Sequence, residues 1–562
     1  MAGGGNLRNG GKVLIDALQK HGVDLVFCVP GESYLAALDA LHDAKDHIRL
    51  IVCRQEGGAA YMAEAYGKLT GKPGICFVTR GPGATNASVG VHTAYQDSTP
   101  MILFIGQVAR DQVEREAFQE IDFRRMYGQM AKWVAQIDDA ARIPELVSQA
   151  FHRAMSGRPG PVVLALPEDM LTDMVDVADA GHFKTVRPYP GAAEMAELRE
   201  RLSHAKRPLM ILGGGGWDAK AVDDIRAFAE AMNLPVGCSF RCQDLFDNSH
   251  PNYAGDVGIG INPKLAERVK TSDLLLVVGA RLGEMTTSGY TLVDIPTPKQ
   301  PLIHVHAGVE ELGRVYQATL PINAGMAAFA GMARNLLPLD HTAWDSWTTA
   351  ARADYLENTK HGPIPGPLQM GEIMAYLRDK LPPDAIITNG AGNYASWAHR
   401  FYQYRRYRTQ LGPTNGSMGY GVPAGIAAKL AAPHRTVVSF NGDGCFMMNG
   451  QELATAVQYG ANVIFLVINN GMYGTIRMHQ EKTYPGRVSG TDLRNPDFAA
   501  LARAYGAHGE TVKTTAEFAP AFERSLAAGK PALIEMQLDA EAITPKVTLS
   551  EMRAQAIKAQ KK

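Results

Sequence analysis

Short apolar runs alternate with longer amphipathic stretches along most of the chain. The runs at 25–29, 75–79, 435–440 and 462–470 show little polar alternation and are rich in β-branched residues. Such runs are typical of strands buried on both faces of a parallel sheet, whereas the stretches between them have the length and composition of helices. The alternation therefore predicts an α/β fold built from βαβ units.

Two segments rich in proline and glycine interrupt this pattern, at 187–191 and 361–367. A chain of 562 residues is too long for one hydrophobic core and should form about three or four domains. We predict three α/β domains, each doubly wound around a mainly parallel sheet, at 1–185, 190–345 and 364–562.

Composition narrows the range of functions. The net charge is -1, with 46% hydrophobic and 20% charged residues. We therefore expect no nucleic acid partner and no anionic membrane, because both attract strongly charged surfaces. The six cysteines lack the second Cys or His pair that a zinc site needs, so we interpret them as reduced core residues.

The composition of the two chain ends predicts solvent-exposed segments. The first eleven residues lack an apolar signal segment and are predicted to form a flexible tail, and no apolar run reaches membrane-spanning length. We predict a cytoplasmic protein. The Lys- and Ala-rich stretch beyond Ser550 is predicted to be a solvated helical end.

The βαβ unit between 435 and 470 carries candidate chemistry. Asp443 and Asn470 each follow an apolar strand, and ligands bind at the carboxyl ends of such strands in open α/β sheets. A carboxylate and an amide oxygen facing glycine N–H groups suit Mg²⁺ shared with a diphosphate. Gly-Asp-Gly alone is usually an ordinary turn. Here, however, 24 residues separate Gly444 from Asn469, and both motifs follow apolar strands, so the combination argues against an ordinary turn.

A second candidate lies in the first domain. Glu56 follows the strand at 50–53 and begins a helix of small residues, and the glycine loop Arg80-Gly-Pro-Gly-Ala-Thr-Asn86 follows a later strand. A glutamate at a helix start is commonly a partner of the helix dipole, which is the alternative reading. The glycine loop favours a ligand site, because it lets the backbone approach a ring closely.

These motifs resemble a known family. Gly-Asp-Gly followed by Asn-Asn resembles the thiamin diphosphate signature, and the stretch from Glu56 to Asn86 resembles the pyrimidine-binding domain of the acetolactate synthase branch. The resemblance extends from Lys12 to about Gln537. It implies three α/β domains, thiamin diphosphate with Mg²⁺, and a homodimer or homotetramer with the cofactor at a subunit interface.

The resemblance also implies roles for individual residues. The metal ligands are Asp443, Asn470 and the Met472 carbonyl. The diphosphate side includes Gly392, Asn393, Tyr394, Gly444, Cys445 and Tyr473. The pyrimidine side includes Pro30, Gly31, Thr79, Pro82 and Asn86. The catalytic residues are Glu56, Gln119, Gly416 and Met418.

The implied chemistry belongs to the cofactor, and the residues prepare it. Protonated Glu56 donates a hydrogen bond to the pyrimidine ring, and the Gly416 carbonyl accepts one from its amino group. Met418 supports the bent cofactor, although a methionine after Gly-Ser is otherwise a common core filler. The family decarboxylates a 2-oxo acid and joins the remaining fragment to a second carbonyl.

The chain departs from acetolactate synthase at two places. Where the family has an arginine that holds the carboxylate of the second oxo acid, this chain has Met285, and Met478-His479 replaces the Gln-Trp pair. We therefore predict an acceptor that is an aldehyde or another uncharged carbonyl. Arg281 keeps one family position, but its neighbours differ, so we predict no tightly bound FAD.

Several alternatives stay open at this point. The first group shares the fold: a decarboxylase that does not ligate, a 2-hydroxyacyl lyase or a flavin-dependent pyruvate oxidase. A cofactor-binding protein without catalysis belongs to another class, and the presence of Glu56 argues against it.

Overall fold

The structure is a computed structural model, and it describes residues 7–561. The chain divides into two compact units, the first containing the chain up to Val186 with Ile426–Ala431, and the second Arg187–Gly425 with the chain from Ala432 onward. The first unit contains one six-stranded sheet and the second contains two. Among residues 7–561, no helix combines the length and the apolar character needed to cross a membrane.

The first unit is built on a parallel sheet with the strand order β3-β2-β4-β5-β7-β6. Its strands are β2 (Leu25–Cys28), β3 (Arg49–Val52), β4 (Gly74–Val78), β5 (Met101–Gln107), β6 (Trp133–Gln136) and β7 (Pro161–Pro167). A separate antiparallel pair is formed by β1 (Arg8–Asn9) and β8 (Met174–Val175). Its helices are α1 (Gly10–Lys20), α2 (Leu35–Asp43), α3 (Glu56–Thr70), α4 (Pro82–Asp97), α5 (Phe123–Tyr127) and α6 (Ile143–Met155).

The N-terminal segment shows where the prediction of a flexible tail is wrong. Residues 1–6 lie outside the described residues, but Arg8 and Asn9 pair with Val175 and Met174 in an antiparallel ladder. Arg8 also forms ion pairs with Asp16 and Asp179. The glycines that suggested flexibility instead permit close packing, since a Cβ at position 10 would lie 2.6 Å from a backbone oxygen.

The middle part of the chain forms a second parallel sheet with the order β11-β10-β9-β12-β13-β14, the arrangement of a dinucleotide-binding fold. Its strands are β9 (Pro208–Leu212), β10 (Val236–Ser239), β11 (Tyr253–Val257), β12 (Leu274–Val278), β13 (Leu302–His306) and β14 (Leu320–Asn323). Its helices are α7 (Ala192–Ser203), α8 (Ala219–Ala231), α9 (Pro263–Thr271), α10 (Met326–Ala333) and α11 (Asp345–Asn358).

The last part forms a third parallel sheet with the order β16-β15-β17-β18-β20-β19. Its strands are β15 (Ile386–Asn389), β16 (Gln410–Leu411), β17 (Val437–Gly442), β18 (Ile464–Asn469), β19 (His508–Val512) and β20 (Ala532–Gln537). Its helices are α12 (Met370–Lys380), α13 (Ala395–Phe401), α14 (Gly421–Ala431), α15 (Asp443–Asn449), α16 (Leu453–Gln458), α17 (Gly474–Thr483), α18 (Phe498–Ala504), α19 (Thr515–Ala527) and α20 (Leu549–Gln560). The prediction of an α/β fold with three parallel sheets is therefore confirmed.

The C-terminal helix is more firmly attached than a solvated end. Met552 of α20 is buried in a small apolar cluster with Met472, Ile543 and Leu549. Arg553 makes a bidentate ion pair with Glu481 of α17, at 2.8 and 2.6 Å. The prediction for the stretch beyond Ser550 is thus wrong for one face of the helix, because its apolar side chains and one arginine pack against α17.

Candidate active site

One pocket lies at the carboxyl ends of the third sheet and encloses about 790 Å³, part of it open to solvent. The segments that form it follow β15, β16, β17, β18 and β20, which are consecutive neighbours in the sheet in the order β16-β15-β17-β18-β20. All the site residues predicted in the last part of the chain, whether for the metal, the diphosphate or catalysis, line this pocket: Gly392, Asn393, Tyr394, Gly416, Met418, Asp443, Gly444, Cys445, Asn470, Met472 and Tyr473.

The Asp443 carboxylate is the centre of the polar wall. Asp443 begins α15 and its side chain is 3% exposed. One oxygen accepts a hydrogen bond from Gly444 N at 2.8 Å, and the other accepts from Gly471 N at 2.9 Å and from Asn495 Nδ2 at 2.8 Å. Burial nevertheless raises the pKa of this carboxyl above its usual range, because these donors only partly offset the loss of solvent.

Asn495 is a site residue that the sequence reasoning missed. Its side-chain amide donates to both Asp443 and Asn469, at 2.8 and 2.9 Å. Nearby, Leu493 N donates to Gly471 O at 2.8 Å, so the segment around Asn495 fixes the loop after β18. The only signal in the sequence is a polar residue in an irregular stretch, which gives no indication of this contact.

The donor set fits a Mg²⁺ ion. Asp443 offers carboxylate oxygens, Asn470 lines the same pocket, and the Met472 carbonyl accepts one hydrogen bond, from Gly474 N at 2.9 Å, which leaves a second lone pair. All are hard oxygen donors of the kind that Mg²⁺ prefers. A cation here would also stabilise the buried negative charge of Asp443. Among residues 7–561 no cluster of three or more His, Cys, Asp or Glu side chains is arranged to hold a metal.

Glycines shape the diphosphate side of the pocket. Gly392 has a φ of 151°, and a Cβ at this position would lie 2.7 Å from the Tyr394 ring. A Cβ at Gly444 would lie 2.5 Å from the Tyr473 ring. Larger residues at either position would therefore displace an aromatic wall, and their absence lets a ligand approach the backbone N–H groups.

Cys445 connects three of the loops. Its sulfur accepts hydrogen bonds from the Tyr394 hydroxyl at 3.3 Å and from Gly419 N at 3.2 Å. Burial strongly raises the pKa of Tyr394, so the hydroxyl remains a donor. Cys445 and Tyr394 thus hold the pocket together, in addition to lining it.

Asn393 and Thr475 form a second connection. The Thr475 hydroxyl accepts from Asn393 N at 2.9 Å and donates to Asn393 Oδ1 at 3.0 Å, while Asn393 Nδ2 donates to Ile543 O at 3.1 Å. Thr475 was not predicted as a site residue. The sequence reasoning anticipated Gly442 as a glycine beside an anion, but it missed the other residues that line the pocket: Ala391, Trp397, Ile468, Gly474, Ile476, Leu538, Ala542 and Ile543.

Gly416 and Met418 lie on the loop after β16. Gly416 has a φ of 70° and Met418 is half-buried against the third core. Glycine adopts this left-handed backbone conformation without the steric cost that a side chain would add, which explains the glycine in this turn. Both residues line the pocket beside the Asp443 loop, as their predicted roles require.

The first unit brings together a separate group of predicted residues. Asn86 Nδ2 donates to a Glu56 carboxylate oxygen at 3.0 Å, and the Thr79 hydroxyl lies 2.9 Å from the Ser33 hydroxyl. A Cβ on Gly31 would lie 2.5 Å from the Thr79 Cβ, so Gly31 allows these two loops to touch. Pro30 and Pro82, listed with this group in the sequence, are both exposed.

Gln119 lies against the glycine loop of the same unit. It has a φ of 66°, and a Cβ on Gly81 would lie 2.8 Å from its carbonyl oxygen. Its side-chain oxygen is buried and has no hydrogen-bond partner within the described chain. A strained backbone and an unsatisfied polar atom are both features of functional sites.

The residues at which the sequence analysis expects a departure from acetolactate synthase do not line the pocket. Met285 is half-buried in the central part of the chain, Met478 is half-buried on α17, and His479 is exposed. Asn393 Nδ2 lies 3.4 Å from the Met478 sulfur, so this methionine supports the wall from behind. The alternative reading of His479 as a solvent-facing helical residue agrees with its exposure.

Comparison with known proteins identifies the same three parts. The chain matches models of the thiamine pyrophosphate enzyme N-terminal TPP binding domain at residues 8–126, the central domain at 195–332 and the C-terminal TPP binding domain at 390–536. The two binding-domain models include every predicted site residue. The chain belongs to the thiamine pyrophosphate enzymes.

Relatives place this thiamine pyrophosphate enzyme in the acetolactate synthase branch. It is 32% identical to the acetolactate synthase large subunit of Corynebacterium glutamicum, covering 92% of this chain and 84% of the relative. It is 31% identical to the isozyme 2 large subunit of Escherichia coli K12, covering 94% and 96%, and 34% identical to the large subunit of Parasynechococcus marenigrum, covering 89% and 83%. The resemblance inferred from the motifs is therefore confirmed.

Proposed function

We propose that this enzyme uses thiamin diphosphate and Mg²⁺ to decarboxylate a 2-oxo acid such as pyruvate and to join the remaining fragment to a second carbonyl. The observation that carries the proposal is the single pocket in which Asp443, Asn470 and Met472 lie beside the glycine loops of the diphosphate side. The relatives named acetolactate synthase support the same reaction class.

The protein's own residues have three tasks. Asp443, Asn470 and the Met472 carbonyl would hold Mg²⁺, while backbone N–H groups at the start of α15 would face the diphosphate. Glu56, held by Asn86 at 3.0 Å, would exchange a proton with the cofactor ring. The bound cofactor supplies the electron sink for decarboxylation.

We propose that a homo-oligomer completes the site, with the first-unit loops of one subunit facing the third-sheet loops of its partner. Large apolar side chains next to both sets of loops support this, since they are exposed in the single chain. They are Leu35 and Phe118 in the first unit, and Met447, Met448 and Ile476 in the second.

For the acceptor we propose an aldehyde or another uncharged carbonyl. An arginine fork binds a carboxylate through paired, charge-assisted hydrogen bonds, and the thioether of Met285 makes none. Each lost charged hydrogen bond costs about 1.5–3 kcal/mol, so preference for 2-oxobutyrate over an aldehyde should fall about tenfold or more. The test is a competition with pyruvate as donor and both acceptors present. A product mixture dominated by the acetohydroxy acid would show that another residue holds the carboxylate.

We also propose that the enzyme works without tightly bound FAD. Arg281, which keeps a family position, lies 3.2 Å from the Glu311 carboxylate, so its charge already has an internal partner. Purified protein should be colourless. A yellow protein that releases stoichiometric FAD on denaturation would contradict this and would favour the flavin-dependent alternative.

The decisive experiment for the reaction measures CO2 release from pyruvate by the full-length protein, with thiamin diphosphate and Mg²⁺ added together and singly. We expect release only when both are present, and a carboligation product when an acceptor is supplied. Cofactor binding without CO2 release across a panel of 2-oxo acids would favour a protein without catalysis. Release of free aldehyde with every acceptor would favour a decarboxylase that does not ligate.

A further inference from the structure

Arg241 lies at the end of β10 in the central sheet, but its side chain reaches the third sheet of the same unit. It is 7% exposed and has a φ of 62°, a left-handed conformation that is uncommon for a residue with a side chain. The guanidinium stacks over the Phe240 ring, 4.9 Å from its centroid. A buried arginine on a strained backbone needs a reason, because burying its charge is costly.

The guanidinium donates to two backbone carbonyls. One nitrogen donates to Gly390 O at 2.8 Å and the other to Pro413 O. Gly390 starts the loop that carries Gly392, and Pro413 lies in the loop that carries Gly416. One side chain therefore fixes the distance between two loops that line the cofactor pocket from neighbouring strands.

The backbone that carries Arg241 is itself held against the third sheet. Gln243 N donates to Gln410 Oε1 at 2.7 Å, and Gln243 Nε2 donates to His399 O at 2.8 Å. The Asp244 carboxylate accepts from Thr409 N at 3.0 Å and from Gln410 N at 3.2 Å. These contacts fix the position of the Arg241 backbone against the third sheet. The guanidinium can therefore hold the two loops at one distance from each other.

We propose that Arg241 is a positioning residue for cofactor binding, which sets the spacing of the Gly390 and Pro413 loops and so links the central sheet to the affinity of the pocket. The inference rests on the proposed function, because it takes the pocket as the thiamin diphosphate site. Arg241 is not among the residues that line the pocket, and it acts through the two carbonyls.

Lysine is an informative replacement at this position. It keeps a positive charge and a long aliphatic stem. At a φ of 62° its backbone has the same conformational strain as that of arginine. An ammonium group lacks the planar fork that reaches two carbonyls at once. Arg241→Lys should therefore fold while losing the bridge, and Arg241→Gln removes the charge as well.

Arg352 offers a matched control in the same unit. It donates to Asn248 O at 2.9 Å and Ser249 O at 3.0 Å, and it stacks 5.0 Å from the Tyr355 ring centroid. It thus makes the same kind of contacts, but to carbonyls that lie away from the cofactor loops. Arg352→Lys measures the general cost of removing such a bridge.

The experiment measures thiamin diphosphate affinity by calorimetry with Mg²⁺ present, and the melting temperature of each protein without cofactor. We expect the Kd to rise about tenfold or more for Arg241→Lys and further for Arg241→Gln, and to change less than about twofold for Arg352→Lys. Because ligand binding stabilises the folded state, the gain in melting temperature on adding cofactor should shrink only in the Arg241 variants.

Two results would overturn the inference. An unchanged Kd in Arg241→Lys with a lowered melting temperature without cofactor would make Arg241 structural only. Equal losses of affinity in Arg241→Lys and Arg352→Lys would show a general effect of destabilising this unit. If the unaltered protein fails to bind thiamin diphosphate, the proposed function itself fails, and the inference fails with it.

Discussion

The first and third sheets have the same strand order but carry different chemistry. When the strands of each sheet are numbered from one in chain order, the first sheet (β3-β2-β4-β5-β7-β6) and the third sheet (β16-β15-β17-β18-β20-β19) both have the order 2-1-3-4-6-5. The central sheet has the order 3-2-1-4-5-6. In both of these sheets the predicted site residues lie in the loops after the first four strands. The shared scaffold therefore fixes where a site can be, and the loop residues determine what it does.

The corresponding loops differ in a consistent way. After the third strand, the first sheet has the loop of Thr79 and Gly81, while the third sheet has Asp443 and Gly444. After the second strand, the first sheet supplies Glu56, while the third supplies the glycine turn at Gly416. The first set offers the Glu56 carboxyl beside the Asn86 amide, and the second set offers hard oxygen donors on glycine-rich backbone. We therefore propose that the first set transfers protons and the second set holds the cofactor.

The largest expected effect tests the proton-transfer half of the comparison. Glu56→Gln keeps the size of the side chain but removes the exchangeable proton, so turnover should fall by about a hundredfold to ten-thousandfold while cofactor affinity stays similar. The measurement pairs steady-state CO2 release with calorimetry. Glu145→Gln, at an exposed position on α6 of the same unit, is the control. Unchanged turnover in Glu56→Gln would remove Glu56 from the mechanism.

The next effect tests the cofactor-holding half. Asp443→Ala removes the carboxylate of the proposed Mg²⁺ site, so the diphosphate would face the loop with uncompensated charge and its Kd should rise about tenfold to a hundredfold. The exposed Asp492, on the segment beside the same loop, provides a control as Asp492→Ala. Equal cofactor affinity in Asp443→Ala and the unaltered protein would place the metal elsewhere.

A smaller effect tests whether Asn495 controls the pKa of Asp443 and thereby the pH dependence of Mg²⁺ binding. Asn495 donates to Asp443 at 2.8 Å, and burial already raises the pKa of that carboxyl. Asn495→Ala removes a donor that favours the ionised form, so the pKa should rise further and protons should compete with Mg²⁺ at higher pH. Calorimetric Mg²⁺ titrations across a pH series should show the midpoint of binding displaced upwards. A midpoint that stays in place would mean that Asn495 has no effect on the charge of Asp443.

The sequence was sufficient for the parts of this account that depend on strands and their ends. Continuous apolar runs predicted the parallel sheets, and residues directly after them, such as Asp443 and Asn470, could be placed at one edge because parallel strands end together. The other diphosphate-side residues that line the pocket, such as Gly392, Tyr394 and Cys445, were implied by the resemblance to the family and not by the strand ends. The domain boundaries and the roles of the site residues remain predictions.

Contacts between distant, irregular segments could not be predicted. Asn495 and Thr475 reach the site through hydrogen bonds to residues 52 and 82 positions away, and no local pattern encodes such contacts. The glycines at 10 and 11 suggested flexibility, although in the fold they allow close packing of α1. Arg241 carries no motif either, and its bridge to two loops is visible only when two sheets of the unit are packed together.

The most direct test of the central claim asks whether the two sets of loops serve one cofactor site across a subunit interface. Glu56→Gln and Asp443→Ala chains carrying different affinity tags would be co-expressed, and the hybrid oligomer purified through both tags. In a hybrid dimer, one site would combine two damaged halves and the other two intact halves, so we predict about half of the unaltered turnover per dimer, far above either parent variant. A hybrid no more active than its parents would contradict the claim that each site is shared between subunits.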